Sequence, residues 1–274
     1  MRSYSAIAVL TVLAVTLSGI PAGADTGVRV NAGLTHISYG DFNEFVDDVN
    51  YELEGYGIEM ENLNWVPEIQ GEVLYSPMPF FTVGLGAGMI FGSSDLSTTI
   101  GGFNLDFEHS IKAYPITVTG YFKPSIPLFP IKPYIYGGAG IYYSKMDFGT
   151  NLGDVFESLD PEAVYFEQAD MSATGFGLHG GAGLEFSIVP LLSLQVGIQA
   201  RWADVSGFEG TGTTSGGDKR DVFLVSQDVE VDVGGETVES YNYGPMDSSV
   251  KDEYEEGSLN LTGYGFVVGL KLAF

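Results

Sequence analysis

The last eleven residues alternate with a period of two. Tyr264, Phe266, Val268, Leu270, Leu272 and Phe274 are large and apolar; Gly265, Val267, Gly269, Lys271 and Ala273 stand between them and are mostly small or polar. Successive side chains of a strand point to opposite faces, so this pattern makes a strand with one greasy and one lean face. Aromatic residues bracket the greasy face at both ends, as on a strand whose outer side meets lipid tails between two interfaces. After residue 24 no apolar run reaches the ~18 residues that a membrane-spanning helix needs. A chain that is 45% hydrophobic, with 38 glycines, 18 Phe and 16 Tyr, must then do its work with many strands and tight turns.

Seven further segments carry the same alternation: residues 28–37, 65–75, 81–91, 114–122, 134–143, 174–188 and 192–202. In the sixth, Phe176, Leu178, Ala182, Leu184, Phe186 and Ile188 oppose Gly177, His179, Gly181, Gly183, Glu185 and Ser187. The connections alternate in length. Residues 76–79, 123–132 and 189–191 are short or proline-rich, whereas 40–64, 92–110, 144–170 and 205–258 are long. Eight strands, short turns on one side and long loops on the other predict an all-β, antiparallel, up-and-down transmembrane barrel with both termini on the short-turn side. The element Gly-Ala-Gly recurs at 86–88, 138–140 and 181–183. Each lies inside a strand, so a nucleotide-binding loop is excluded. A narrow interior with little room for side chains explains them instead.

The start of the chain reads as an export signal over residues 1–24: Arg2, a charge-free run from Ala6 to Ile20, then the small-x-small pattern Ala22-Gly23-Ala24. The single barrel domain is then expected over 25–274. There is no cysteine, which suits passage through an oxidising compartment. The formal charge is −25, which excludes nucleic acid as a partner. Of the 36 acidic residues, all but Asp25, Glu68, Glu72, Glu185 and Asp204 fall in the four long connections. Charge is thus kept off the lipid-facing wall, where it costs up to about 2–4 kcal/mol per residue. The plain expectation is solvated outer loops; a sharper one is that these acids meet divalent cations, although no loop has the regular Asp-x-Asp-x-Asp-Gly spacing.

Arg29, Glu72, Glu185 and Lys271 face inward at similar depth near the short-turn end, two of each sign. Closing the barrel brings the first and last strands together and so sets Arg29 beside Lys271. An eight-stranded barrel is only wide enough for side chains to fill it, so these four are expected to form an ionic plug; a gate that opens is the alternative. Gln70, Gln195, Gln199, His179 and Arg201 would carry the polar interior upward. Of the three histidines, His36 and His109 sit near loop ends, and His179 has Gly177 and Gly181 as same-face neighbours and so no serine one step along its strand; no catalytic residue, cofactor or metal is therefore expected and the chain is not read as an enzyme. Pro67 and Pro115 interrupt strand ladders, either as tolerated irregularities or as a lateral opening for a small hydrophobic ligand.

Together, the strands, the alternating loops and the C-terminal phenylalanine resemble the small outer-membrane β-barrel superfamily that includes the outer-membrane protein A, X and W types. Tyr264, Phe266, Val268, Leu270, Leu272 and Phe274 carry the resemblance and look like its terminal signal for the barrel-assembly machinery. The likeness implies residence in the outer membrane of a Gram-negative-type bacterium, as a monomer among lipid and lipopolysaccharide. It also implies a structural or surface-interaction role, with transport of small or hydrophobic solutes as the alternative. The chain departs from the A type in ending at its last strand, and its fourth loop is long for the superfamily.

Overall fold

A computed structural model describes residues 25–53, 59–60, 62–100, 103–124, 131–151, 166–233 and 236–274. The segment read as an export signal, and the loop acids Glu54, Glu61, Asp154, Glu157, Asp160 and Glu162, lie outside the described residues. The strands are β1 (Asp25–Ile37), β2 (Trp65–Met78), β3 (Phe81–Ile100), β4 (Phe103–Phe122), β5 (Ile131–Asn151), β6 (Phe166–Val189) and β7 (Leu192–Ser206), followed by β8 (Glu209–Thr214), β9 (Lys219–Val233), β10 (Glu236–Asp247), β11 (Ser258–Asn260) and β12 (Gly263–Ala273). One helix, α1 (Asp41–Leu53), follows β1.

Strands β1 to β7 and β12 close an antiparallel ring of eight. The closing ladder runs from Gly27↔Ala273 to Ile37↔Gly263 and sets Arg29 directly opposite Lys271. On the other side of β1, Arg29 stands opposite Glu72. The wall is apolar outside: Ile69, Leu85, Ile116, Val118, Ile135, Ile141, Leu178, Val196, Ile198, Phe266 and Leu270 are all exposed. Trp65, Tyr143, Phe176, Trp202 and Tyr264 mark one rim of this band, and Tyr75, Phe80, Phe122 and Phe274 the other. That is the outer surface of a barrel in lipid, with its two aromatic girdles. Inside, at Gly138 a Cβ would run into the Val118 carbonyl oxygen, and at Gly181 into that of Ile198. At Gly88 it would meet the Ile69 carbonyl oxygen, so all three Gly-Ala-Gly elements sit where neighbouring backbone leaves no space for a side chain.

Beyond the rim the described parts of the long connections are largely folded. β3 and β4 continue through the segment expected as the second loop, paired from Phe91↔Lys112 to Ile100↔Phe103. The fourth connection carries β8, β9 and β10, which extend the upper half of β6. The reason is a swap of polarity along unbroken strands. Within the lipid band, outward positions are apolar and inward ones polar. Above it, the same faces exchange character: Glu108, Ser110 and Lys112 face out while His109, Ile111 and Ala113 are buried. β6 repeats this, with Met171 and Ala173 buried and Phe176 and Leu178 exposed. The solvent outside changes from hydrocarbon to water, so the outward face changes from apolar to polar while the inward face stays buried.

The buried faces meet in an apolar core at the outer end, comprising Ile37, Tyr39, Phe42, Val46, Ile90, Ile111, Met146, Val205, Leu259 and their neighbours. Helix α1 enters this core with Phe42 and Val46, four residues apart on one face. The turn into it places both Tyr39 and Gly40 at φ 50°. Two helix asparagines pin the returning chain. Leu63 N–H donates to Asn43 Oδ1 (3.1 Å), and Asn50 exchanges bonds of 2.9 and 2.6 Å with the backbone of Met60.

The two strand prolines differ. Pro67 keeps its place opposite Leu34 and lies just beyond the last β2–β3 rung, Glu68↔Ile90. Between β3 and β4 the ladder stops after Ala87↔Ile116 and resumes at Ile90↔Ala113 in the same register. The missing rungs fall at Tyr114 and Pro115, where proline has no N–H to give.

Candidate functional site

The interior is layered, and each layer follows from which inward positions share a level. At the short-turn end, the Glu185 carboxylate takes Lys123 Nζ at 2.8 Å, Gln195 Nε2 at 2.8 Å and Lys271 Nζ at 3.5 Å. One step up, Arg29 pairs with Glu72 and donates also to Tyr121 and, at 3.1 Å, to Gln195 Oε1. Tyr121 Oη donates to Glu72 at 2.8–2.9 Å, and the Arg29 guanidinium lies 4.4 Å from the Tyr121 ring centre. Gln195 therefore bridges the Arg29–Glu72 pair to Glu185. All four residues expected as the charge network fall in this connected group, but they form two subgroups, Arg29 with Glu72 and Lys271 with Glu185.

The middle layer is neutral. Gln70 Nε2 donates to Thr117 Oγ1 (2.9 Å), and Thr119 Oγ1 lies 2.9 Å from His179 Nε2. A cavity of about 20 Å³, room for one water, is lined here by Asn31, Tyr136, His179 and Gln199 among others. The upper polar layer was not foreseen as a charge pair. Arg201 Nη2 meets Glu68 Oε2 at 2.5 Å, and the same carboxylate oxygen accepts from Thr35 (3.1 Å) and Gln199 (3.0 Å). Both ions are buried, Arg201 at 4% and Glu68 at 7% exposure. Hydrogen bonds to the remaining valences favour such pairs; here Gln199 and Thr35 serve the Glu68 carboxylate, the Tyr142 ring centre lies 5.7 Å from the Arg201 guanidinium, and Arg201 Nη1 has no partner among the described residues. Directly above lies the dry outer core.

The histidines separate. His36 stacks on Tyr264 at 5.2 Å and meets Trp65 edge-on at 5.3 Å, within the outer girdle. His109, placed near a loop end by sequence, is fully buried in the core. It stacks on Phe42 at 4.3 Å and is surrounded by Phe107, Phe148 and Tyr243. Neither ring nitrogen has a hydrogen-bond partner. Its row, Ser94–His109–Phe148, stands three rungs beyond the Phe91–Lys112 level, about 10 Å past the lipid band. Burial pushes its pKa down to about 3, against the smaller opposing pull of Asp147.

This has a definite pH consequence. The folded value lies below the ordinary 6.5, so between the two the unfolded cap binds more protons than the folded one. The cap is then most stable above pH 6.5 and loses roughly 1 kcal/mol for each pH unit below it. Cleavage of the outer segments by a protease active at both pH 7.5 and pH 5 is expected to rise severalfold at pH 5. His109→Phe should flatten that rise; an equal rise in the variant would assign it to the carboxylates instead. Among the described residues no group of three or more His, Asp or Glu side chains is placed to hold a metal ion.

A family model described as an outer membrane protein beta-barrel domain matches residues 7–230. No curated protein shows significant sequence similarity to the chain. Among solved structures, a major outer membrane protein from Thermus thermophilus is 15% identical, covering 92% of this chain and 100% of that one at a TM-score of 0.47. The outer membrane protein OprG from Pseudomonas aeruginosa is 11% identical over 92% and 96% of the two chains, at 0.44. The outer membrane protein W of E. coli is 12% identical over 90% and 97%, at 0.32.

Proposed function

From the premise that the chain belongs to the outer membrane protein beta-barrel domain family and resides in the cell outer membrane, we propose that it is a closed, non-conducting barrel whose work is done by its folded acidic outer end, in a structural or surface-interaction role. One observation carries this reading. Above the paired charges, Ile37, Ile90, Ile111, Met146, Val205 and Leu259 are at most 1% exposed, so an ion crossing the lumen would have to leave a polar layer for a dry apolar one. Residues 1–24 are removed as an export signal, and Tyr264, Phe266, Leu270, Leu272 and Phe274 present the assembly machinery with the terminal strand. The barrel acts as a monomer and without catalysis. His179 has a hydroxyl neighbour in Thr119, but its Nδ1 has no acceptor to orient the ring. The test is electrical: purified protein in planar bilayers should give no steps above the bare-membrane baseline at high salt. Regular single-channel openings would sink the proposal.

A second reading, passage of a small hydrophobic solute through the wall, is favoured by the missing β3–β4 rungs beside Pro115. Vesicles holding the protein should then take up such a solute faster than protein-free vesicles. Pro115→Val, which restores a donor, should slow the uptake.

A further inference from the structure

The chain is acidic almost everywhere, yet its short-turn mouth is not. A cavity of about 520 Å³ opens there, and Lys123, Lys132 and Lys271 all line it. The hydroxyl-bearing Thr26, Ser76 and Thr82 line it as well. The one acidic side chain among the described residues that line it is that of Glu185. The nearest deeper ions, Arg29 and Glu72, neutralise each other. Among the described lining residues three ammonium groups thus face one side-chain carboxylate, in a molecule whose formal charge is −25. Glu185 is already met by Lys123 and Lys271. Lys132 stands opposite it across the β5–β6 ladder, is exposed, and has no ion pair among the described residues.

A protein that needed only to fill its lumen would match charge with charge, as it does at Arg29–Glu72 and Arg201–Glu68. Surplus cations lining an open cavity do something else: they attract a soluble anion and hold it by charge-assisted hydrogen bonds. The volume lies within the range of small-molecule sites. We infer that the mouth is a binding site for a phosphate-type oxyanion, with Lys132 as its free ammonium ligand and Lys123 and Lys271 shared between the anion and Glu185. The lysines line the mouth inside the ring, so a soluble anion reaches them directly, whereas the headgroup of a lipid outside the wall would have to bend around the strand ends. The assignment does not depend on whether the lumen conducts, because the cavity is open at its own end.

The probe is inorganic pyrophosphate, titrated calorimetrically into the protein folded in phosphatidylcholine nanodiscs at low salt. Saturable binding is expected. Lys132→Gln should weaken it about tenfold, the loss of one charged contact. Glu185→Gln, which keeps the shape and removes a competing negative charge, should tighten it severalfold. A merely structural role for Glu185 predicts the opposite sign or no change. Both variants should keep their compact, heat-modifiable form on gels. Repeating the titration in discs containing phosphatidylglycerol identifies the source of the anion. Unchanged affinity assigns the site to a soluble oxyanion, and competition assigns it to a headgroup phosphate. No saturable heat with wild type at millimolar pyrophosphate, or equal affinity in wild type and Lys132→Gln, would overturn the inference.

Discussion

Glu72→Ala should destabilise the barrel by about 3–5 kcal/mol, the usual cost of stranding one member of a buried ion pair. Glu72 is 2% exposed and Arg29 is 5%. Removing the carboxylate takes away the charged acceptor of both the guanidinium and the Tyr121 hydroxyl, and leaves Arg29 a buried cation with only neutral acceptors. Gln195 Oε1 still accepts one Arg29 bond, which keeps the loss at the lower end of that range. Unfolding by urea in lipid vesicles, followed through Trp65 and Trp202, measures the change. Glu72→Gln restores an acceptor of the same shape and should recover part of the loss. The alanine variant also discriminates plug from gate. If the dry outer layer blocks the path, Glu72→Ala stays silent in planar bilayers even though its lower lumen is disrupted. Channel steps appearing only in the variant would make this pair the gate.

Phe42→Ala should remove about 3–5 kcal/mol from the outer cap, as truncation of a fully buried aromatic does, while leaving the lipid-embedded ring closed. Phe42 is 0% exposed and touches Phe45, His109 and Tyr243. These rings come from α1, β4 and β10, so one truncation loosens three elements that are distant in the chain. None of the ring-closing ladders runs through α1. The expected result is rapid proteolysis within the outer segments, together with an unchanged heat-modifiable barrel on gels. Loss of both at once would mean that cap and barrel fold as one cooperative unit.

The lipid-facing wall was legible because its rule is local. Alternation in β12 depends only on the next residue but one, and eight such runs with unequal connections close in one way. Neighbouring-strand relations were legible for the same reason: Arg29 opposite Lys271 and beside Glu72 follows once the ends of the barrel meet. Contacts across the lumen were not. Arg201 reaches Glu68 from β7 to β2, with β12 and β1 between them in the wall. Lys123 lies in a connection and reaches Glu185 on β6. Ring neighbours can be counted from strand order, but the residue facing a side chain across the interior depends on strand tilt and stagger.

By itself, then, the sequence determined that this chain is a strand-built wall with apolar residues outward, and at which end its acids gather. It even held the outer cap in plain view, since the buried Ile111 and Ala113 alternate with Glu108, Ser110 and Lys112. That alternation looks like noise until the outside is known to be water there and hydrocarbon a few residues later. Whether the apolar or the polar face of a strand turns outward depends on the medium it stands in, and the depth of each residue in the membrane is a property of the closed barrel rather than of any segment. Only the tertiary structure could therefore decide that described parts of the long connections build a second core beyond the lumen, that His109 lies inside it, and that three lysines converge on one mouth.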